Sequence, residues 1–129
     1  IGFSKNKDEC FEFPKNHQDY GKKIAAFYYW IFPNIMLNIY PWGISLNIVC
    51  PVNKSKTKVL FRSYVFDSSK LNNGASEDLN KVELEDEKIV ENVQKGINSS
   101  FYHTGRFSAK REKGVHHFHR LISQYINHK

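Results

Sequence analysis

No charged side chain occurs between Ile24 and Asn53, and this stretch limits what the chain can fold into. An uncharged run of that length belongs either in a lipid bilayer or in a protein interior. Pro33, Asn34, Asn38, Pro41, Gly43, Ser45 and Asn47 interrupt it, and no window reaches the roughly 20 predominantly apolar residues that a spanning helix needs. The run instead alternates. Ile35, Leu37 and Ile39 interleave with Met36, Asn38 and Tyr40, and Ile44, Leu46, Ile48 and Cys50 interleave with Ser45, Asn47 and Val49. Beyond a polar loop, Val59, Phe61, Ser63 and Val65 oppose Leu60, Arg62, Tyr64 and Phe66. Period two with turn signals at Pro33-Asn34 and Pro41-Trp42-Gly43 predicts an antiparallel meander of at least three strands between Ala26 and Phe66.

The pattern then changes. Asp67–Ser76 reads as a loop with a turn at Asn73-Gly74. After it Leu79, Val82, Ile89, Val90, Val93 and Ile97 recur at helical spacing, with Gly96 near the natural end, and Phe118, Leu121, Ile122 and Tyr125 form a second stripe. Strands followed by helices in blocks predict an α+β fold, with helices packed on one face of an antiparallel sheet. The expected division is an irregular lead-in over 1–25, strands over 26–66 and a helical part over 77–129.

The chain of 129 residues starts at Ile1, which is expected of a piece of a longer protein. Its opening residues carry no targeting pattern. The formal charge is +6, with Lys5, Lys7, Lys15, Lys22, Lys23, Lys54, Lys56, Lys58, Lys110 and Lys113 spread along the sequence. A solvated basic face accounts for them, so neither nucleic acid nor a membrane surface is expected as a partner. Cys10 and Cys50 have no second Cys or His at metal-ligand spacing and read as free thiols of a reducing cytoplasm.

One residue breaks the first helical stripe. Asp86 is four residues after Val82 and four before Val90, so it points where they point. A carboxylate aimed at a core neutralises, finds a partner or binds a metal. A helix-start cap that stays half exposed is the plainer reading, and helix statistics alone do not choose between them.

Three blocks carry a family resemblance. The run Tyr28-Tyr29-Trp30-Ile31-Phe32-Pro33-Asn34-Ile35-Met36-Leu37-Asn38 resembles a "YYW-x-FPN-x-M-x-N" strand pair. Glu85–Gly96 resembles an "ED-x-x-x-VE-x-VQ-x-G" helix. Tyr102, Gly105, Arg106, Glu112 and Gly114-Val115-His116-His117-Phe118-His119-Arg120 resemble a closing "Y-x-x-GR … E-x-GV-x-HFHR" segment. In this order they are similar to the catalytic domain of Rieske-type non-haem iron oxygenase α subunits, nearest the choline and carnitine monooxygenase-like branch.

The resemblance implies a helix-grip domain, here in part, and a parent enzyme that hydroxylates or oxidatively cleaves a small aromatic or quaternary ammonium substrate. It implies Fe(II) held by two histidines and one carboxylate, the carboxylate aligning with Asp86. Gln94, eight residues along the same helix and roughly inward, is a candidate to support the site. The resemblance further implies O2, a reductase or ferredoxin partner, a [2Fe–2S] cluster and a trimeric parent.

This sequence has neither the family's His-x4-His pair nor the C-x-H and C-x-x-H pairs of the cluster. The histidine ligands and the Rieske domain are therefore expected outside this chain, which is expected to be inactive alone. Tyr28, Trp30, Tyr40 and Trp42 are candidates for a substrate pocket, since aromatic faces attract quaternary ammonium groups, and Arg106 for a carboxylate contact. For most of the aromatics plain sheet packing is the commoner role. His116, His117 and His119 lack a convergent further ligand and receive no role. The alternative function is a metal-free helix-grip domain binding a hydrophobic ligand.

Overall fold

The computed structural model describes residues 1–71 and 79–127, the side chains of 79–82 excepted. The expected turn at Asn73-Gly74 and the Leu79 and Val82 side chains lie outside the described residues. Five strands are present: β1 (Gly2–Phe3), β2 (Ile24–Ile31), β3 (Ile35–Tyr40), β4 (Gly43–Asn53) and β5 (Lys56–Val65). They form one antiparallel sheet in the order of the sequence. Two helices follow, α1 (Leu79–Ile97) and α2 (Lys113–Asn127). The fold is α+β, an antiparallel sheet with C-terminal helices as in helix-grip domains.

The chain divides into two compact units, Ile1–Glu91 and Asn92–Lys129. In the first, the register sorts the sheet into two faces. Phe27, Ile39, Ile44 and Tyr64 lie in one row, and Tyr29, Leu37, Leu46 and Arg62 in the next. The opposite face carries the rows Tyr28, Asn38, Ser45, Ser63 and Trp30, Met36, Asn47, Phe61. One face is thus nearly all apolar, and the other places polar groups at its centre among aromatics. Ser45 is buried there and its hydroxyl donates to Asn47 Oδ1 at 3.4 Å.

Each turn is pinned by specific bonds. Asn34 donates from Nδ2 to the Val49 carbonyl at 3.0 Å, while its own carbonyl accepts from Val49 N–H at 2.9 Å. The Pro41-Trp42 turn is tied to the end of β5, since the Trp42 carbonyl accepts from Phe66 and Asp67 N–H groups at 2.8 and 3.0 Å. Gly43 follows at φ +155, where a Cβ would collide with the Tyr64 carbonyl oxygen. Only glycine lets β5 approach β4 so closely at this point.

The lead-in is more ordered than its polar composition suggests. Besides β1, it contributes a single 3-10 turn at Lys7–Glu9, and Phe11 N–H donates to the Ile24 carbonyl at 2.8 Å. Cys10 is buried and donates its thiol to the Asn6 carbonyl at 3.2 Å, and both cysteines are free.

The core of this unit is small. Ala26, Tyr40 and Trp42 form its centre, with Leu71 packed against them. The Tyr40 and Trp42 rings stack with centroids 5.2 Å apart and 8° between planes.

Truncating Trp42 to Ala should cost about 3–5 kcal/mol, as for large aromatics removed from a core, measured by urea denaturation. Gly43→Ala should destabilise the chain by more than Gly21→Ala. Gly21 also has a positive φ, +80, but has open space where a Cβ would go, so equal losses would contradict the close-approach argument.

Candidate functional site

The sheet brings Tyr28, Tyr40 and Trp42 together. Tyr28 meets Tyr40 edge-on at 6.3 Å, and Tyr40 in turn stacks on Trp42. Two residues along the same face, Trp30 packs edge-on against Phe32 at 5.7 Å. The edge strand makes room for Tyr28: a Cβ on Gly2 would lie 3.2 Å from its ring and its hydroxyl. Of the four aromatic candidates, Tyr40 and Trp42 are core residues whose faces are occupied, Trp30 is half-buried, and Tyr28 is 52% exposed. Arg106 is exposed and belongs to the second unit.

Burial, together with the charge and hydrogen bond of Tyr28 and the charge of Glu83, pushes the Tyr40 hydroxyl from 10.0 up to about 12. Tyr40 is thus neutral throughout the working range, a hydrogen-bonding group and not an acid. Trp42 Nε1 is buried without an acceptor among the described residues. A donor in that state is destabilising by about 1–3 kcal/mol.

Glu83 was not legible as a site residue. Counting outward from Asp86, it falls among acidic residues expected in solvent. It is nevertheless half-buried. Burial raises its carboxyl above the ordinary value, and the Glu87 carboxylate one turn on adds to the shift. The available signal was its spacing, eleven residues before half-buried Gln94, which keeps the two near one helix face.

Asp86 and Gln94 stand on α1 as the periodicity predicts, but their surroundings differ from expectation. Asp86 is exposed, and so are the apolar residues of its stripe, Val90 at 66%, Val93 at 56% and Ile97 at 43%. The face expected to enter a core is uncovered among the described residues. Gln94 is half-buried, and its backbone carbonyl accepts from Asn98 Nδ2 at 2.8 Å.

In the second unit the histidines hold a loop. Phe107 meets the rings of His116 and His119 edge-on at 5.9 and 5.1 Å. Glu112 is occupied as a cap, its carboxylate accepting from Ser108 N–H while Ser108 Oγ accepts from Arg111 N–H at 3.3 Å.

Residues 6–128 match the family described as ring hydroxylating alpha subunit (catalytic domain). The chain belongs to this family. It is 39% identical over 103 residues to a chloroplastic choline monooxygenase of Arabidopsis thaliana, covering 75% of this chain and 24% of that protein. The chloroplastic choline monooxygenase of Beta vulgaris is 31% identical over 125 residues, 92% of this chain and 26% of its own length. The carnitine monooxygenase oxygenase subunit of Escherichia coli K12 is 30% identical over 140 aligned positions, 95% of this chain and 35% of its own length. The chain thus spans between a quarter and about a third of these relatives. No solved structure matches it.

The Fe(II) that such a family implies needs two imidazoles converging on the carboxylate. Among the described residues no group of three or more His, Cys, Asp or Glu side chains is placed to hold a metal. Asp86 is one donor only, so these residues do not by themselves make an iron site. No described helix is long and apolar enough to cross a membrane.

Glu83 also sets a pH dependence. Its raised carboxyl means that the folded chain keeps a proton that the unfolded chain has already lost, so stability falls as pH rises above the ordinary value of 4.5. Glu83→Gln removes that fall. The thermal midpoints of variant and wild type should coincide below about pH 4 and separate towards pH 7, the variant being higher; parallel curves would contradict the assignment.

Proposed function

We propose that this chain is part of a Rieske-type oxygenase that uses O2 and electrons from a reductase or ferredoxin to hydroxylate or oxidatively cleave a small quaternary ammonium compound. The observation that carries the reading is the family match over residues 6–128, and the resemblance of Glu85–Gly96 to the family's helix supports Asp86 as the carboxylate ligand. In this reading Asp86 supplies one carboxylate to Fe(II), whose two histidine ligands come from polypeptide outside this chain. Gln94 supports the ligand helix. The chain alone, with one ligand of three, is inactive. The bound iron would supply O2 activation, and a [2Fe–2S] cluster outside this chain would supply electrons.

The substrate class follows from chemistry shared by the relatives. Choline and carnitine, named for the proteins it resembles, both carry a trimethylammonium group. Such a cation is held by open aromatic faces and nearby carboxylates. Tyr28 is the candidate aromatic with half its surface open, and Glu83 lies close enough to the Tyr28–Tyr40 pair to shift the Tyr40 hydroxyl. We assign these two to cation recognition, and Tyr40 and Trp42 to their support. The parent is expected to be a trimer. It acts in a reducing interior, the cytoplasm by the sequence reading or a plastid like the chloroplastic relatives.

Asp86→Ala in the full-length protein should abolish iron occupancy, measured by metal analysis of the purified enzyme, and iron retained at the wild-type level would overturn the ligand assignment. Tyr28→Ala and Glu83→Gln should each raise KM for a trimethylammonium substrate by about ten-fold, with kcat changed far less, as expected when ground-state binding is lost. An unchanged KM in both would remove them from the substrate site.

A further inference from the structure

The net charge of +6 is unevenly placed. Ile1–Glu91 contains 12 basic and 12 acidic residues and is neutral, whereas Asn92–Lys129 holds the other 7 basic residues against Glu112 alone. The whole excess therefore sits in the second unit. That unit also holds five of the six histidines.

Its basic residues are arranged as well as numerous. On α2, Lys113, His117 and Arg120 follow at steps of four and three and share one side, while Phe118, Leu121 and Ile122 on the other side are half-buried. Lys110 and Arg111 precede the helix directly, and all five of these basic residues are exposed. The ion pairs that the structure shows, Lys22–Asp19 and His17–Asp19, lie in the first unit. Glu112, the one acidic side chain within this unit's sequence, accepts from the Ser108 N–H. A unit with seven basic side chains against one acidic one carries a net positive charge, which attracts an acidic partner.

We propose that the surface formed by Lys110, Arg111, Lys113, His117 and Arg120 docks an acidic electron-donor protein. The proposal rests on the oxygenase reading above, which requires electrons from a separate protein that must bind and leave in each turnover. Contacts of that kind are small, weak and steered by charge, and an exposed basic surface meets that requirement. Exposed Tyr102 at 47% and Phe107 at 47% add the aromatic component common in protein interfaces.

The test uses the full-length protein and an acidic plant-type [2Fe–2S] ferredoxin as probe. Its dissociation constant should rise steeply between low and moderate salt. The variant K110Q/R111Q/K113Q/R120Q should weaken binding by about ten-fold or more and flatten the salt dependence. Iron content and product formed with a chemical reductant should be unchanged. Wild-type affinity in the variant would overturn the proposal, as would salt-independent binding by the wild-type protein, a measurement that does not need the variant to fold. Tighter binding of duplex DNA than of ferredoxin by the wild type would also overturn it, in favour of a phosphate polymer. Absence of iron and of chemically driven turnover would instead sink the oxygenase reading, and the binding titration would still judge the surface by itself.

Discussion

The Tyr40–Trp42 stack is the contact on which the first unit depends. It sits where β3 turns into β4, and it closes the core over Ala26 at the end of the sheet nearest the lead-in. The same turn receives the chain as it leaves β5, through two N–H bonds to the Trp42 carbonyl. Gly43 lets the two strands meet there without a Cβ between them. Three parts of the molecule are therefore organised by one two-residue turn, and the rings that fill it exclude water from the hydroxyl of Tyr40.

That arrangement has a consequence for chemistry. Burial of Tyr40 and Trp42 removes them as direct ligand contacts and leaves Tyr28, edge-on to Tyr40, as the open aromatic surface. The desolvation that raises the Tyr40 hydroxyl is of the same kind as that felt by Glu83. In the proposed function, a half-buried carboxylate near Tyr40 suits an organic cation, because a trimethylammonium group loses little hydration on entering such a place.

The sheet was the most legible part of the sequence. Strict alternation in Ile35–Tyr40 and Gly43–Cys50 specifies both the strand state and the side to which each residue points, since slipping by one residue would exchange the two faces. The helical periods of α1 and α2 were equally plain. The two-residue strand β1 was not. Its pairing with β2 depends on where the lead-in returns, held by backbone bonds such as Ser4 N–H to the Lys23 carbonyl at 3.1 Å, and backbone bonds leave no pattern in side chains. Glu83 stands in an acidic run, where exposure is the ordinary expectation. A helix face is decided by what it packs against, and Val90 and Val93 are exposed while Glu83 is half-buried.

The sequence by itself determined the α+β class, the meander, the two helices, the family motifs and the lack of a His-x4-His pattern in these residues. These depend on periodicity, on turn residues and on which residue types are present, all of which are local properties. Only the tertiary structure decided that Tyr40 and Trp42 are core while Tyr28 is open, that Trp42 Nε1 has no acceptor among the described residues, that Glu112 is occupied as a cap, and that Lys110, Arg111, Lys113 and Arg120 stand exposed. Burial and pairing are properties of what surrounds a side chain. Those surroundings are assembled from residues far apart in sequence, so no window of the sequence contains them.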